Sequence, residues 1–414
     1  MKRPTGRRLT VTAMTVAGLV VGATACSSGG GTSSSQAADS GSYTVWDPYP
    51  QFAGDSAWVK LLDGCGSRAG VKVERRAFDT TDLTNKALLA AQQDNAPDVL
   101  ILDNPVVSTL AEAGVLTTTD ENKVDTSKVD PNLLAAGQSG GKTYGTPIGA
   151  NTLALYYNKD VLTEAGVDIS SVKDWKSLTT ALDKVRKAGK KGITFSATGT
   201  EEGSFQFLPW FWGSGAKLTE LDSAQGVSAL SLWRDWLEKG YAPDSVINNT
   251  QTTSWQEFAS GEYAFAENGT WQLAGAEKAG FDYGVLPIPG ADGGSAAAPT
   301  GGEFVTVPVQ GDSGRYATTR KLVSCLTSAE NLYDTDTTLS YVAPTAGVRA
   351  KQTAAKPELK PWVDAVKAAK GRTSDDLGTR YPRISEQMWK AVQSALSGSQ
   401  SPKGALTAAQ DAVE

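Results

Sequence analysis

Five carboxylates are the residues best suited to chemistry in this chain: Asp47, Asp103, Glu201, Glu202 and Glu303. Two carboxyl groups held roughly 5–9 Å apart can cleave a glycosidic bond, one as acid and the other as base or nucleophile. No hydrolase signature surrounds them. The 414 residues include no histidine. That removes the commonest general base, the commonest metal ligand and every Ser-His or Cys-His nucleophile. Three scattered cysteines cannot build a four-thiolate zinc site. No cofactor and no metal are expected.

The elements that must position these carboxylates follow a leader. Lys2, Arg3, Arg7 and Arg8 precede the apolar run "LTVTAMTVAGLVVGATA" and then Cys26, the layout of a secretory signal peptide over 1–25. The Arg7-Arg8 pair also fits twin-arginine export. The first 26 residues carry four of the 39 basic groups and no acid, so the remainder is more acidic than the whole-chain net charge of -6. An acidic body argues against nucleic acid as a partner. Residues 26–42 are mostly Gly, Ser and Ala and read as a flexible tether. Cys65 and Cys325 remain, and in an exported chain such a pair is expected to be bridged. Two separate buried thiols are the alternative, because connectivity is not readable from sequence.

After the tether, strand and helix alternate. "SYTVW", "VKVERRAF" and "PDVLILD" read as strands, the last a continuous apolar run suited to burial on both faces. Helices are expected at Ala57 to Ala69, in "TDLTNKALLAAQQDN" and in "VVSTLAEAGVL". The pattern resumes with "DWKSLTTALDKVRKAG", where Trp175, Leu178, Leu182 and Val185 share one helical face. "GITFSA", "FDYGVLPIPG" and "EFVTVPV" are further strands, and Ser254-x-x-Glu257 reads as a capping box. The last hundred residues are mainly helical. The fold class is α/β. "GQSGGKT" is one residue short of a phosphate loop and leads into a strand rather than a helix.

The cationic leader ending in "ATAC", then "APDVLILDN", "GKTYGTPIGANTLALYYNKDVL", "ENGTWQL" and "YGVLPIPG…GGEFVTV", occur in that order. Together they resemble the extracellular solute-binding lipoproteins of ABC importers, the group that includes maltose-binding protein. Ala23 departs from the Leu usual in the lipidation motif. The resemblance implies a two-lobe periplasmic-binding-protein-like fold with a cleft and three hinge crossings. One lobe would be 43–148 plus 304–343, the other 153–300 plus 349–414, with crossings near 149–152, 301–303 and 344–348. It implies lipidation at Cys26, anchoring at the outer face of the bacterial membrane, a permease partner and a monomer. It places Cys65 and Cys325 in one lobe.

A carbohydrate is the solute such a chain is expected to take, in particular a di- or oligosaccharide. Sugar C–H faces pack on aromatic rings and sugar hydroxyls need polar side chains at the ring edge; the chain has 11 Trp and 12 Tyr. Trp46 with Asp47, and Asp103 with Asn104, end strands, where ligands of open α/β sheets bind. The resemblance adds Phe205, Gln206, Trp210, Trp212, Trp271, Glu303, Arg380 and Tyr381. Tyr156 and Tyr157 follow a crossing and point to opposite sides of a strand; core packing is the competing reading for each. A secreted glycoside-acting enzyme, a binder of another solute and an adhesion lipoprotein are the alternatives.

Overall fold

The computed structural model describes residues 43–373 and 377–414. The expected signal peptide and tether, with Cys26, lie outside them.

Eleven strands make two main sheets and a small hairpin: β1 Tyr43–Asp47, β2 Val73–Ala77, β3 Val99–Asp103, β4 Gln138–Ser139, β5 Lys142–Thr143, β6 Gly145–Pro147, β7 Leu153–Asn158, β8 Lys191–Thr194, β9 Tyr263–Gly269, β10 Tyr283–Leu286 and β11 Glu303–Thr306. The first sheet runs β2-β1-β3-β11-β6 and the second β10-β7-β9-β8; β4 and β5 pair only with each other. β1 lies parallel to β2 and β3, whereas β11 is antiparallel to β3 and β6.

Alternation along each strand explains why both main sheets are covered on both faces. In the first sheet Val45, Val99, Ile101 and Val305 pack with Trp58, Leu62, Leu322 and Leu332. Their neighbours Trp46, Leu100, Leu102 and Phe304 pack on the other side with Leu83, Ala87, Val107 and Leu110. In the second sheet Leu153, Leu155 and Phe265 meet the helices Trp175–Lys187, Glu201–Gly213, Ala224–Glu238 and Tyr381–Leu396. Ala154, Tyr156 and Ala266 meet Trp255, Phe258 and Trp362. All four apolar positions expected on the 175–187 helix are buried.

The expected capping box at Ser254 is corrected. The helix spans Gln251–Ala259 and is capped by Thr250, whose side chain accepts from the Thr253 amide. Ser254 lies inside the helix and donates to the Gln251 carbonyl. Glu257 is engaged elsewhere, by Thr194 at 2.6 Å and Ser245 at 2.7 Å. A short-range motif yielded to partners brought in by the tertiary fold.

The chain passes from the first sheet to the second after β6 and returns before β11. Ile148 donates to Glu303 O at 3.0 Å, Asn151 exchanges hydrogen bonds with Gly301, and Ala150 exchanges them with Val342. Three passing segments therefore lie side by side. Gly302 takes φ +109, and a side chain there would strike the Gly149 carbonyl; glycine is required for this approach. Cys65 and Cys325 are joined in a disulfide that ties the helix Ala57–Ala69 to the helix Tyr316–Leu326.

Candidate functional site

The ends of the first sheet bring two carboxylates face to face. β3 ends at Asp103 and β11 begins at Glu303, paired with it in register. Asp103 caps the helix Asn104–Glu112 by accepting from the Asn104 amide at 2.9 Å. Glu303 accepts from the Tyr49 hydroxyl at 2.7 Å and from Tyr341. Burial, and then the charge of Asp103, push the Glu303 carboxyl up to about 7, against the pull of those two donors. Burial and Glu303 in turn hold the Tyr49 and Tyr341 hydroxyls well above the ordinary tyrosine range. Tyr341 also shares a side-chain hydrogen bond with Asn151 on the first crossing.

The second sheet contributes a helix start and an aromatic pair. Glu201 opens the helix Glu201–Gly213, where the partial positive charge of the helix N-terminus favours an acid. One turn on, the Phe205 ring lies 6.4 Å from that of half-buried Trp271. Trp271 folds over Gly269, and any side chain at Gly269 would collide with the indole.

Arg372 joins the two groups. The segment before it is held by Thr300, whose amide donates to Lys370 O at 2.9 Å. The Arg372 side chain is 3 % exposed. One terminal nitrogen donates to Asp103 at 2.7 Å and Asn104 at 2.9 Å, and the other to Glu201 at 2.8 Å. Its guanidinium carbon stands 4.9 Å from the Phe205 ring centre, a cation–π arrangement. Burial opposes the charge, but Asp103 and Glu201 outweigh it and hold the group protonated. Tyr381 and Ser385 also donate to Glu201.

Asp103, Asn104, Phe205, Trp271, Glu303 and Tyr381 thus fall in one connected cluster. The other expected residues fall elsewhere. Asp47 is fully buried and accepts from Arg75, Trp58 and the Tyr49 amide. Trp46 packs edge-on against Phe78 with its indole nitrogen unpartnered among the described residues. Tyr156 donates to Gly269 O at 2.8 Å inside the second sheet's core, and Tyr157 packs on the opposite face. Gln206 braces Ser196 and Glu267, and Trp210 donates to Glu267 at 2.7 Å. Trp212 lies under Lys370, and Arg380 is exposed. Glu202, the fifth carboxylate, accepts from the Gln251 amide. Arg372, Tyr49, Asn151 and Tyr341 are cluster residues that sequence reading passed over. Only Tyr49 carried a signal, two residues beyond a strand-end acid.

Comparison with known proteins agrees with this architecture. The chain is 27% identical over 285 residues to a maltooligosaccharide ABC transporter solute-binding lipoprotein of Streptococcus pneumoniae, a match spanning 64% of each protein. It is 26% identical over 310 residues to the maltodextrin-binding protein MdxE of Bacillus subtilis, spanning 69% of this chain and 68% of that one. The GacH receptor of Streptomyces glaucescens, solved unliganded and with acarbose, superposes with a TM-score of 0.76 at 26% identity, covering 90% of this chain and 97% of that one. A solute-binding protein of Thermotoga lettingae bound with α-D-tagatose shares the fold at a TM-score of 0.77 and 24% identity, covering 90% and 98%. Residues 60–361 match the family described as bacterial extracellular solute-binding protein. This is a family of binding proteins rather than of enzymes, and the chain belongs to it.

Proposed function

We propose that the chain captures a carbohydrate, a di- or oligosaccharide, between two lobes and delivers it to an ABC permease from a lipid anchor on Cys26. Residues 43–148 with 304–343 form one lobe, and 153–300 with 349–414 the other. The segments near 149–152, 301–303 and 344–348 act as the hinge. The observation that carries this reading is the convergence of Asp103 and Glu303 from one sheet with Glu201, Phe205 and Trp271 from the other. A sugar held there touches both lobes only when they close, so its binding shifts the population toward the closed form. The aromatic pair suits the sugar's C–H faces and the carboxylates suit its hydroxyls. The relatives named for maltooligosaccharide and maltodextrin support the same ligand class.

Thermal-shift measurements across maltose, maltotriose, other oligosaccharides and non-sugar solutes test it, since a ligand of the folded form raises the melting temperature. A rise with an oligosaccharide that is recovered chemically intact is the expected result. A rise with only a non-sugar solute would overturn the carbohydrate assignment and leave the family unchanged.

A further inference from the structure

We propose that the depression beside the Cys65–Cys325 disulfide is a binding site for a phosphate group. It is open to solvent, about 460 Å³ in volume, and lined by Arg68, Lys123, Arg320 and Lys321 together with Ser324 and Ser328. None of these residues belongs to the strand-end cluster, so the proposal stands apart from the sugar assignment.

Four cations gather here on a chain whose net charge is -6. Among the described residues none of the four forms an ion pair with a carboxylate. Two acids stand two residues from Lys123, and both serve local amides: Glu121 accepts from the Thr118 amide at 2.7 Å and the Thr118 hydroxyl at 2.8 Å, and Asp125 accepts from the Ser127 amide at 2.9 Å. The Glu121 carbonyl accepts from Arg320 at 3.2 Å, and the Arg320 Nε is buried without a partner among the described residues. Gathering like charges without counter-charge costs energy that an anion would recover.

The walls are fixed. Arg68 lies on the helix Ala57–Ala69, and Arg320 and Lys321 lie on the helix Tyr316–Leu326; the disulfide joins these two helices. Arg68 reaches Cys325 Sγ at 3.6 Å. The eleven-residue helix Ala329–Leu339 starts at Ser328 on the rim and adds its positive end. Two arginines, two lysines and two serines line the depression, a donor set that suits a tetrahedral oxyanion better than a planar carboxylate.

The phosphate can come from a soluble compound or from a phospholipid headgroup, and two arms separate these. The full chain carrying Cys26→Ser, which cannot be acylated, is titrated with inorganic phosphate by calorimetry. It is also sedimented with phosphatidylglycerol vesicles and with phosphatidylcholine vesicles at low and high salt. Arg320→Gln with Lys321→Gln tests one wall, and Arg68→Gln with Lys123→Gln tests the other, so failure of one pair to fold leaves the second. Saturable binding of one phosphate per chain is expected, weakened roughly tenfold or more by either pair, with the solute-induced melting shift unchanged. Phosphatidylglycerol binding lost in the same variants identifies the headgroup as the source. Phosphate binding without vesicle binding identifies a soluble compound. Absence of both, or binding that neither pair weakens, overturns the site.

Discussion

The guanidinium of Arg372 stands 2.7 Å from the carboxylate of Asp103. Its other arm reaches Glu201 at 2.8 Å, so one side chain ties the end of β3 to the start of a helix on the second sheet. Removing it leaves two acids facing each other in a largely desolvated space. Arg372→Met is expected to cost about 3 kcal/mol, the lower end of the range for a broken buried pair, because the Glu201 side chain keeps 35% of its surface. Arg372→Lys should recover only part of this, since an ammonium lacks the fork that spans both acids. Urea unfolding of both variants measures the difference.

Glu303 makes stability depend on pH. Its carboxyl is pushed up from 4.5 to about 7 in the folded chain. Between those values the folded state holds a proton that the unfolded state has lost, so stability falls as pH rises from about 4.5 to about 7 and then levels. Glu303→Gln should flatten that segment and leave the protein more stable than the parent at pH values above 7. Denaturant melts across the interval, parent against variant, read the slope directly.

Trp271 is half-buried beside Phe205 and held by contact with Gly269. If the indole stacks on the sugar, Trp271→Ala should weaken oligosaccharide binding by about 2 kcal/mol, roughly thirtyfold. Gly269→Ala should weaken it without deleting the ring, because the added methyl displaces the indole. Calorimetric titration with the oligosaccharide found in the melting screen checks both.

Asp47 answers a different question. It accepts from Arg75, Trp58 and the Tyr49 amide within the first sheet's own core. Asp47→Asn is expected to lower the melting temperature while leaving the affinity of the folded protein for the proposed oligosaccharide within about twofold. A large loss of affinity with unchanged stability would make Asp47 a ligand contact instead.

Reduction of the Cys65–Cys325 bridge should also destabilise the fold. The cross-link spans 260 residues, and its loss frees a long loop in the unfolded chain, typically worth about 2–5 kcal/mol. Melting temperature with and without reductant, compared with the Cys65→Ser, Cys325→Ser double variant, tests this. The two conditions should agree.

Hydrophobic periodicity determined most of the elements. The runs at Val99–Asp103 and Trp175–Lys187 carry their own burial pattern, and the absence of histidine closed off several chemistries before any fold was known. Strand ends were also legible, and that rule singled out Asp103 and Asn104, which join the cluster, as well as Trp46 and Asp47, which do not; Glu303 came only from the resemblance. Tertiary structure decided the rest. Trp46, Tyr156 and Trp210 have the composition of a sugar site but face cores, because a side chain's direction depends on which sheet face its neighbours cover. Ser254 satisfied a local capping pattern that Thr250 took over. Arg372 sits in a stretch with no periodicity, and its role exists only because a segment 269 residues beyond Asp103 folds back against it. Local spacing encodes helix and strand through the backbone's own geometry. Pairing of a charge with its counter-charge across the chain is decided only by packing.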